Sequence, residues 1–115
     1  MTVADHMPRE QLAARLLARL AQRHIGKSRG ITAEQLAHEM GISERVLRSL
    51  VSDLRAEGTA ISATPETGYF IAETPDELEE SCQFLRSRAL HSLRIEAQLR
   101  RIPLPDLLGQ LRLET

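Results

Sequence analysis

Up to Gly58, apolar residues recur at helical spacing in three blocks, and the polar residues between the blocks carry the signals that start and stop helices. In the first block Leu12, Ala13, Leu16, Leu17 and Leu20 share one face, behind Pro8, a residue preorganised for the first helical position. Gly26-Lys27-Ser28-Arg29-Gly30 then breaks the period. Thr32 followed by Gln35 is a capping box for a short second helix through Leu36, Ala37 and Met40, and Gly41 suits the left-handed turn that ends it. Ser43 caps a third helix, whose Val46, Leu47, Leu50, Val51 and Leu54 fall within an arc of about 140°.

Beyond Gly58 the period changes. Ala60-Ile61-Ser62-Ala63 and Tyr69-Phe70-Ile71-Ala72 read as two short strands around the turn-prone Thr64-Pro65-Glu66-Thr67-Gly68, which makes a hairpin. Thr74-Pro75-Asp76-Glu77 supplies an N-cap, a proline at the first position and an acid at the third, so a long helix starts there, and nothing stops it before Pro103. At 1.5 Å per residue it is a rod about 40 Å long. Residues from Pro105 to Leu111 supply one or two further turns. The pattern predicts a mostly α chain with a small β-hairpin, divided into residues 1–73 and a C-terminal arm of residues 74–115.

A length of 115 residues leaves room for one core and an appendage, and 42% apolar with 27% charged residues is a globular composition. No apolar run approaches the ~18 residues of a membrane span. Cys82 is the only cysteine and no secretory pattern opens the chain, so a soluble, cytoplasmic protein is expected. The net charge of -1 conceals an asymmetry: residues 59–80 carry six acids and no base, whereas the segments on either side are net basic.

Residues 32–54 therefore read as helix, tight turn, helix, with small Ala37 where the helices approach and Gly41 in the turn. This resembles helix-turn-helix DNA-binding domains, and the hairpin makes it the winged variety. The sequence is similar to the N-terminal domain of the biotin operon repressor family in Gly41-Ile42-Ser43, in Leu54-Arg55-Ala56-Glu57-Gly58 and again at Gly68-Tyr69, over about residues 10–73. Small winged-helix proteins of phages and prophages are similar in architecture. The resemblance implies a winged helix-turn-helix plus a long C-terminal helix, double-stranded DNA as partner, and the third helix in the major groove. Carried over by residue, it implies DNA contacts from Ser43, Glu44, Arg45, Arg48, Ser49, Ser52 and Arg55, with Lys27, Arg29 and Thr32 ahead of them. The competing interpretation is that the arginines are solubilising charge.

The wing departs from that pattern, since it carries Glu66 and no base, followed by Glu73, Asp76, Glu77, Glu79 and Glu80. Either it points away from DNA, or the fold serves protein contacts. No nucleophile constellation, paired carboxylates or phosphate-cradling glycine motif is present, so no enzyme and no cofactor are expected. His6, His24, His38 and His91 lack metal spacing with one another or with Cys82, and Cys82 is expected to be buried as a small hydrophobe.

On a helical wheel the long helix has two apolar stripes. Leu78, Cys82, Leu85, Ala89, Leu90, Leu93 and Ala97 are expected to face the winged helix; Phe84, Ile95, Leu99 and Ile102 are expected to face a second chain in a homodimer, or to be covered by the tail. The tail's Leu107, Leu108, Gln110, Leu111 and Leu113 are candidates for a protein partner. Gln110-Leu111-Arg112-Leu113 resembles the peptide with which bacterial replication proteins bind the sliding clamp, with Glu114 where an apolar residue normally ends it.

Overall fold

The computed structural model describes residues 7–111; His6 and Leu113 lie outside them. In chain order the elements are α1 (Arg9–Arg23), a 3₁₀ turn (Lys27–Arg29), α2 (Ala33–Met40), α3 (Glu44–Ala56), β1 (Ile61–Thr64), β2 (Gly68–Ile71), α4 (Pro75–Arg100) and α5 (Leu104–Leu111). The architecture is mostly α with one antiparallel hairpin, a winged helix-turn-helix followed by a long helix. Packing divides the chain into two compact units, one ending at Ser81 and one beginning at Cys82.

The first unit has an aliphatic core. Leu12, Leu16 and Leu20 of α1 meet Leu36, Ala37 and Met40 of α2 and Leu47, Leu50, Val51 and Leu54 of α3, with Ile31, Ile61 and Tyr69 closing the cluster from the wing side. Pro8 occupies the N-cap of α1, one position before the expected first turn. The expected caps are in place: Thr32 Oγ1 accepts from Gln35 N at 3.2 Å, and Ser43 Oγ accepts from Val46 N at 3.1 Å. Gly41, at φ 68°, ends α2, and Ile42 N donates back to Ala37 O at 3.0 Å, so the turn between the two helices is a Schellman motif.

The hairpin pairs Ile61 with Ile71, Ser62 with Phe70, Ala63 with Tyr69 and Thr64 with Gly68. Each strand lies one residue from its expected bounds, shifted towards the turn. The sheet also has a third, discontinuous member. Ile31 bridges Tyr69 through Ile31 N to Tyr69 O at 2.9 Å and the reciprocal bond from Tyr69 N, while Gly26 N donates to Ile71 O at 2.8 Å. β2 is therefore central, held by β1 on one side and by the segment linking α1 to α2 on the other. Isolated bridges have no period of their own, which is why the sequence pattern shows only a break there.

In the second unit α4 ends in another Schellman turn. Arg101 takes φ 57°, alone among the described non-glycine residues in a positive value, and Ile102 N donates to Ala97 O at 3.0 Å. The helix is thereby two residues shorter than the pattern up to Pro103 suggests. Ala97 and Leu107 are buried in this unit. Three expectations are corrected here. Cys82 is exposed rather than buried as a small hydrophobe, and of its stripe Leu78, Leu85 and Ala89 are exposed as well, Leu90 and Leu93 are half-buried and Ala97 is buried. Phe84 is half-buried with the Arg88 guanidinium 5.9 Å from its ring centroid, and Ile102 is half-buried in the capping turn, which leaves only Ile95 and Leu99 of the expected dimer seam exposed. Leu107 faces inwards and is not on offer to a partner, while Leu108 is half-buried and Gln110 and Leu111 are exposed on α5.

Candidate nucleic-acid interface

The geometry of α3 follows from its buried residues. Leu47, Leu50, Val51 and Leu54 fix one side of the helix in the core, so at 100° per residue Arg45, Ser49, Ser52 and Ala56 project from the opposite side, with Arg48 and Glu44 on one flank and Asp53 on the other. Arg45 and Ser52 are exposed, and among the described residues the Arg45 guanidinium has no hydrogen-bond or ion-pair partner. Arg48 lies 3.4 Å from Glu44, one turn earlier, a loose pair with both side chains largely in solvent. Ser43 and Thr32 use their hydroxyl oxygens as helix caps, which leaves each O–H proton available to an external acceptor.

Arg55, Lys27 and Ser49, assigned to this surface from the sequence, are otherwise engaged, Ser49 by Arg9 Nη2 at 2.6 Å. Arg55 Nε donates to Ile61 O at 2.8 Å, tying the end of α3 to the first residue of the wing, so its guanidinium is a strut between elements. Lys27 Nζ sits 2.9 Å from Glu80, and Lys27 N donates to Glu77 Oε2 at 3.1 Å, which commits the lysine to the start of α4. Glu80 holds the Lys27 ammonium pKa above its ordinary value. The Glu77 carboxyl is held below the usual range, chiefly by the N–H of Glu73 at 2.9 Å and then by that of Lys27. Arg29 is exposed beside this cluster. Its carbonyl accepts a 2.7 Å bond from His24 Nδ1, which fixes the 3₁₀ turn.

Sequence reasoning missed Arg9 and Asp53. Arg9, the first residue of α1, donates to Asp53 Oδ2 from Nε at 3.0 Å and from Nη2 at 2.8 Å, and reaches Ser49 Oγ at 2.6 Å. The clip neutralises the acid on the flank of α3 and engages Ser49. No local signal reveals a pair 44 residues apart; only the crossing of α1 over α3 brings it together. Both partners are about half exposed, so Arg9→Ala is expected to cost less than about 1 kcal/mol of stability. Equilibrium denaturation in urea checks this, and a larger loss would mean that the clip sets the position of α1.

The wing contributes no cation. Its tip is held by Thr64 Oγ1, which accepts from Thr67 N at 3.1 Å and lies 2.7 Å from Thr67 Oγ1; Pro65 and Glu66 at the apex are exposed. The surface has two distinct parts: an outward strip on α3 with Arg45, Arg48 and Ser52, and an acidic region at the wing tip and the start of α4. Among the described residues no cluster of three metal-ligating side chains occurs, and no helix is long and apolar enough to cross a membrane.

Comparison with known proteins bears on the first unit. Residues 15–70 match the sequence family described as HTH domain, and this segment has the helix-turn-helix fold, with the winged form given by the hairpin. Curated relatives include DDRGK domain-containing protein 1 of Mus musculus, 35% identical over 75 residues covering 65% of this chain and 24% of that protein. The protein of the same name from Homo sapiens is 33% identical over the same shares, and that of Osmerus mordax is 32% identical over 89 residues, covering 77% of this chain and 30% of its own length. The chain thus spans about a quarter of the length of most of these relatives. No solved structure matches significantly.

Proposed function

We propose that this chain binds duplex DNA sequence-specifically through α3 and acts as a transcriptional regulator, a binding protein rather than an enzyme. The observation that carries the reading is the outward strip of α3: Arg45, without a partner among the described residues, with Arg48 and Ser52 beside it, on the second helix of a helix-turn-helix, opposite a side locked in the core. A helix held in this way fits the major groove, where an arginine makes paired hydrogen bonds to guanine and serine reaches bases or phosphates. The likeness of Gly41 to Gly58 to the biotin operon repressor family supports the same assignment. With Lys27 and Arg55 engaged elsewhere, few cations remain to neutralise phosphates, so binding should rest more on base contacts than on charge and show a shallow salt dependence.

Selection from a randomised duplex library at two salt concentrations tests this. Enrichment of one defined site is expected, with an affinity that falls modestly as salt rises; no enrichment at low salt would overturn the reading. Glu66→Ala is the companion measurement. The acid at the wing apex repels phosphate, so its removal should leave affinity unchanged or slightly higher, and a marked loss would place DNA on another surface.

A second reading is favoured by the acidic wing and the acids that open α4: the fold would serve as a protein-interaction adaptor, or as a replication accessory factor engaging a partner through α5 and the residues after it. The library experiment separates this from DNA reading, because an adaptor enriches no duplex.

A further inference from the structure

α4 carries a stripe of exposed positions. Leu78 and Leu85 are 45% and 44% exposed and Leu99 is 80% exposed, and Cys82, Ala89 and Ser92 between them are exposed as well. With Glu96, these positions follow one another in alternating steps of four and three, an average of 3.5 residues. That is the repeat by which two helices keep a seam in register while winding around each other. Cysteine, alanine and serine along the seam are small enough to allow close approach.

Charge decides the direction of pairing. The first turns of α4 carry Asp76, Glu77, Glu79 and Glu80 and no base, whereas residues 86–101 carry five arginines and the single acid Glu96. A parallel pair would set like on like at both ends. An antiparallel pair sets the acidic end of each helix against the basic end of the other, and a two-fold axis across the helices produces this arrangement by symmetry.

We propose that α4 pairs antiparallel with the α4 of a second copy of this chain along this stripe. The register follows from the arginines. With Cys82 opposite Leu99 of the second copy, Ala89 lies opposite Ser92, and the flanking positions set Glu79 near Arg100. A shift of one heptad in one direction brings Arg86 and Arg88 against their own counterparts, and a shift in the other brings Arg86 against Arg100. Glu96 faces Leu85 in this register. Its carboxylate is already drawn aside to Arg100 Nε at 2.7 Å, so its aliphatic stem lies on the seam.

Sedimentation of the full chain, wild type and Leu85→Glu/Leu99→Glu, is one arm of the test. Both side chains are exposed, so the double variant should keep the helical content of the wild type while shifting from dimer to monomer, its melting temperature lower only by the stability that pairing adds. The second arm is oxidative cross-linking of Leu99→Cys. A disulfide needs Cα atoms within about 4.4 to 6.8 Å, which the register provides between Cys82 and position 99 of the second copy. The variant should therefore become a covalent dimer under mild oxidant, while the wild type stays uncross-linked. A monomeric wild-type chain would overturn the proposal, and so would cross-linking of the wild type through Cys82 alone, the signature of a parallel pair.

Discussion

Arg45→Ala is expected to weaken binding to the selected duplex by about 1 to 3 kcal/mol, roughly 5- to 150-fold, with little change in stability. The core holds α3 by Leu47, Leu50, Val51 and Leu54, and the Arg45 side chain leaves from the far side in its first turn. The residue makes no hydrogen bond or ion pair among the described residues, so truncation removes nothing that supports the fold. Arg48→Ala should cost less, because that guanidinium is shared with Glu44. Arg55→Ala should behave differently, lowering the melting temperature through the lost bond to Ile61 O without changing which duplex is preferred. Anisotropy titrations of the three variants beside thermal melts separate these outcomes. If Arg55→Ala relaxes sequence preference while Arg45→Ala does not, the groove-facing side of α3 has been misassigned.

What could be read from the sequence was what is encoded locally. Thr32, Ser43 and Thr74 each bond to the amide three residues on, so their helix starts are visible to anyone reading residue types in order. Gly41 marks the turn between α2 and α3 for the same reason. The hydrophobic period located the core because each of the three helices presents a single buried face. Long-range pairing was not legible. Arg9 with Asp53, Lys27 with Glu80 and Arg55 with the Ile61 carbonyl depend on which helices cross, and they decide which cations remain for a polyanion. The position of Lys27 just ahead of α2 suggests a DNA contact, yet α4 returns beside it with Glu77 and Glu80. On α4 the sequence revealed two apolar stripes but not that each is exposed in part, Leu78 and Leu85 on one and Ile95 and Leu99 on the other, because hydrophobicity alone does not say which face a neighbouring element covers.

Gly68→Ala is expected to be among the most damaging single substitutions in the first unit, at about 2 to 4 kcal/mol. Two independent effects add. The residue has φ +73°, where a side chain strains the backbone, and an added Cβ would press against the Ile31 carbonyl and the Thr32 amide. Neither neighbour can move freely. Ile31 exchanges two backbone bonds with Tyr69, the residue after the glycine, and Thr32 is the N-cap of α2. Any displacement that makes room loosens the wing from the segment beside it or shifts the start of the helix-turn-helix. Gly58→Ala supplies the comparison, since that residue has φ +96° but nothing within reach of its Cβ, so it isolates backbone strain from the clash. Gly58→Ala should therefore melt between the wild type and Gly68→Ala, with the latter lower than the wild type by on the order of 10 to 20 °C. Equal melting of the two variants would mean that the wing yields at the Ile31 bridge without cost. In that case the hairpin would be hung on the domain by β1 alone, and the linking segment would not act as its third strand.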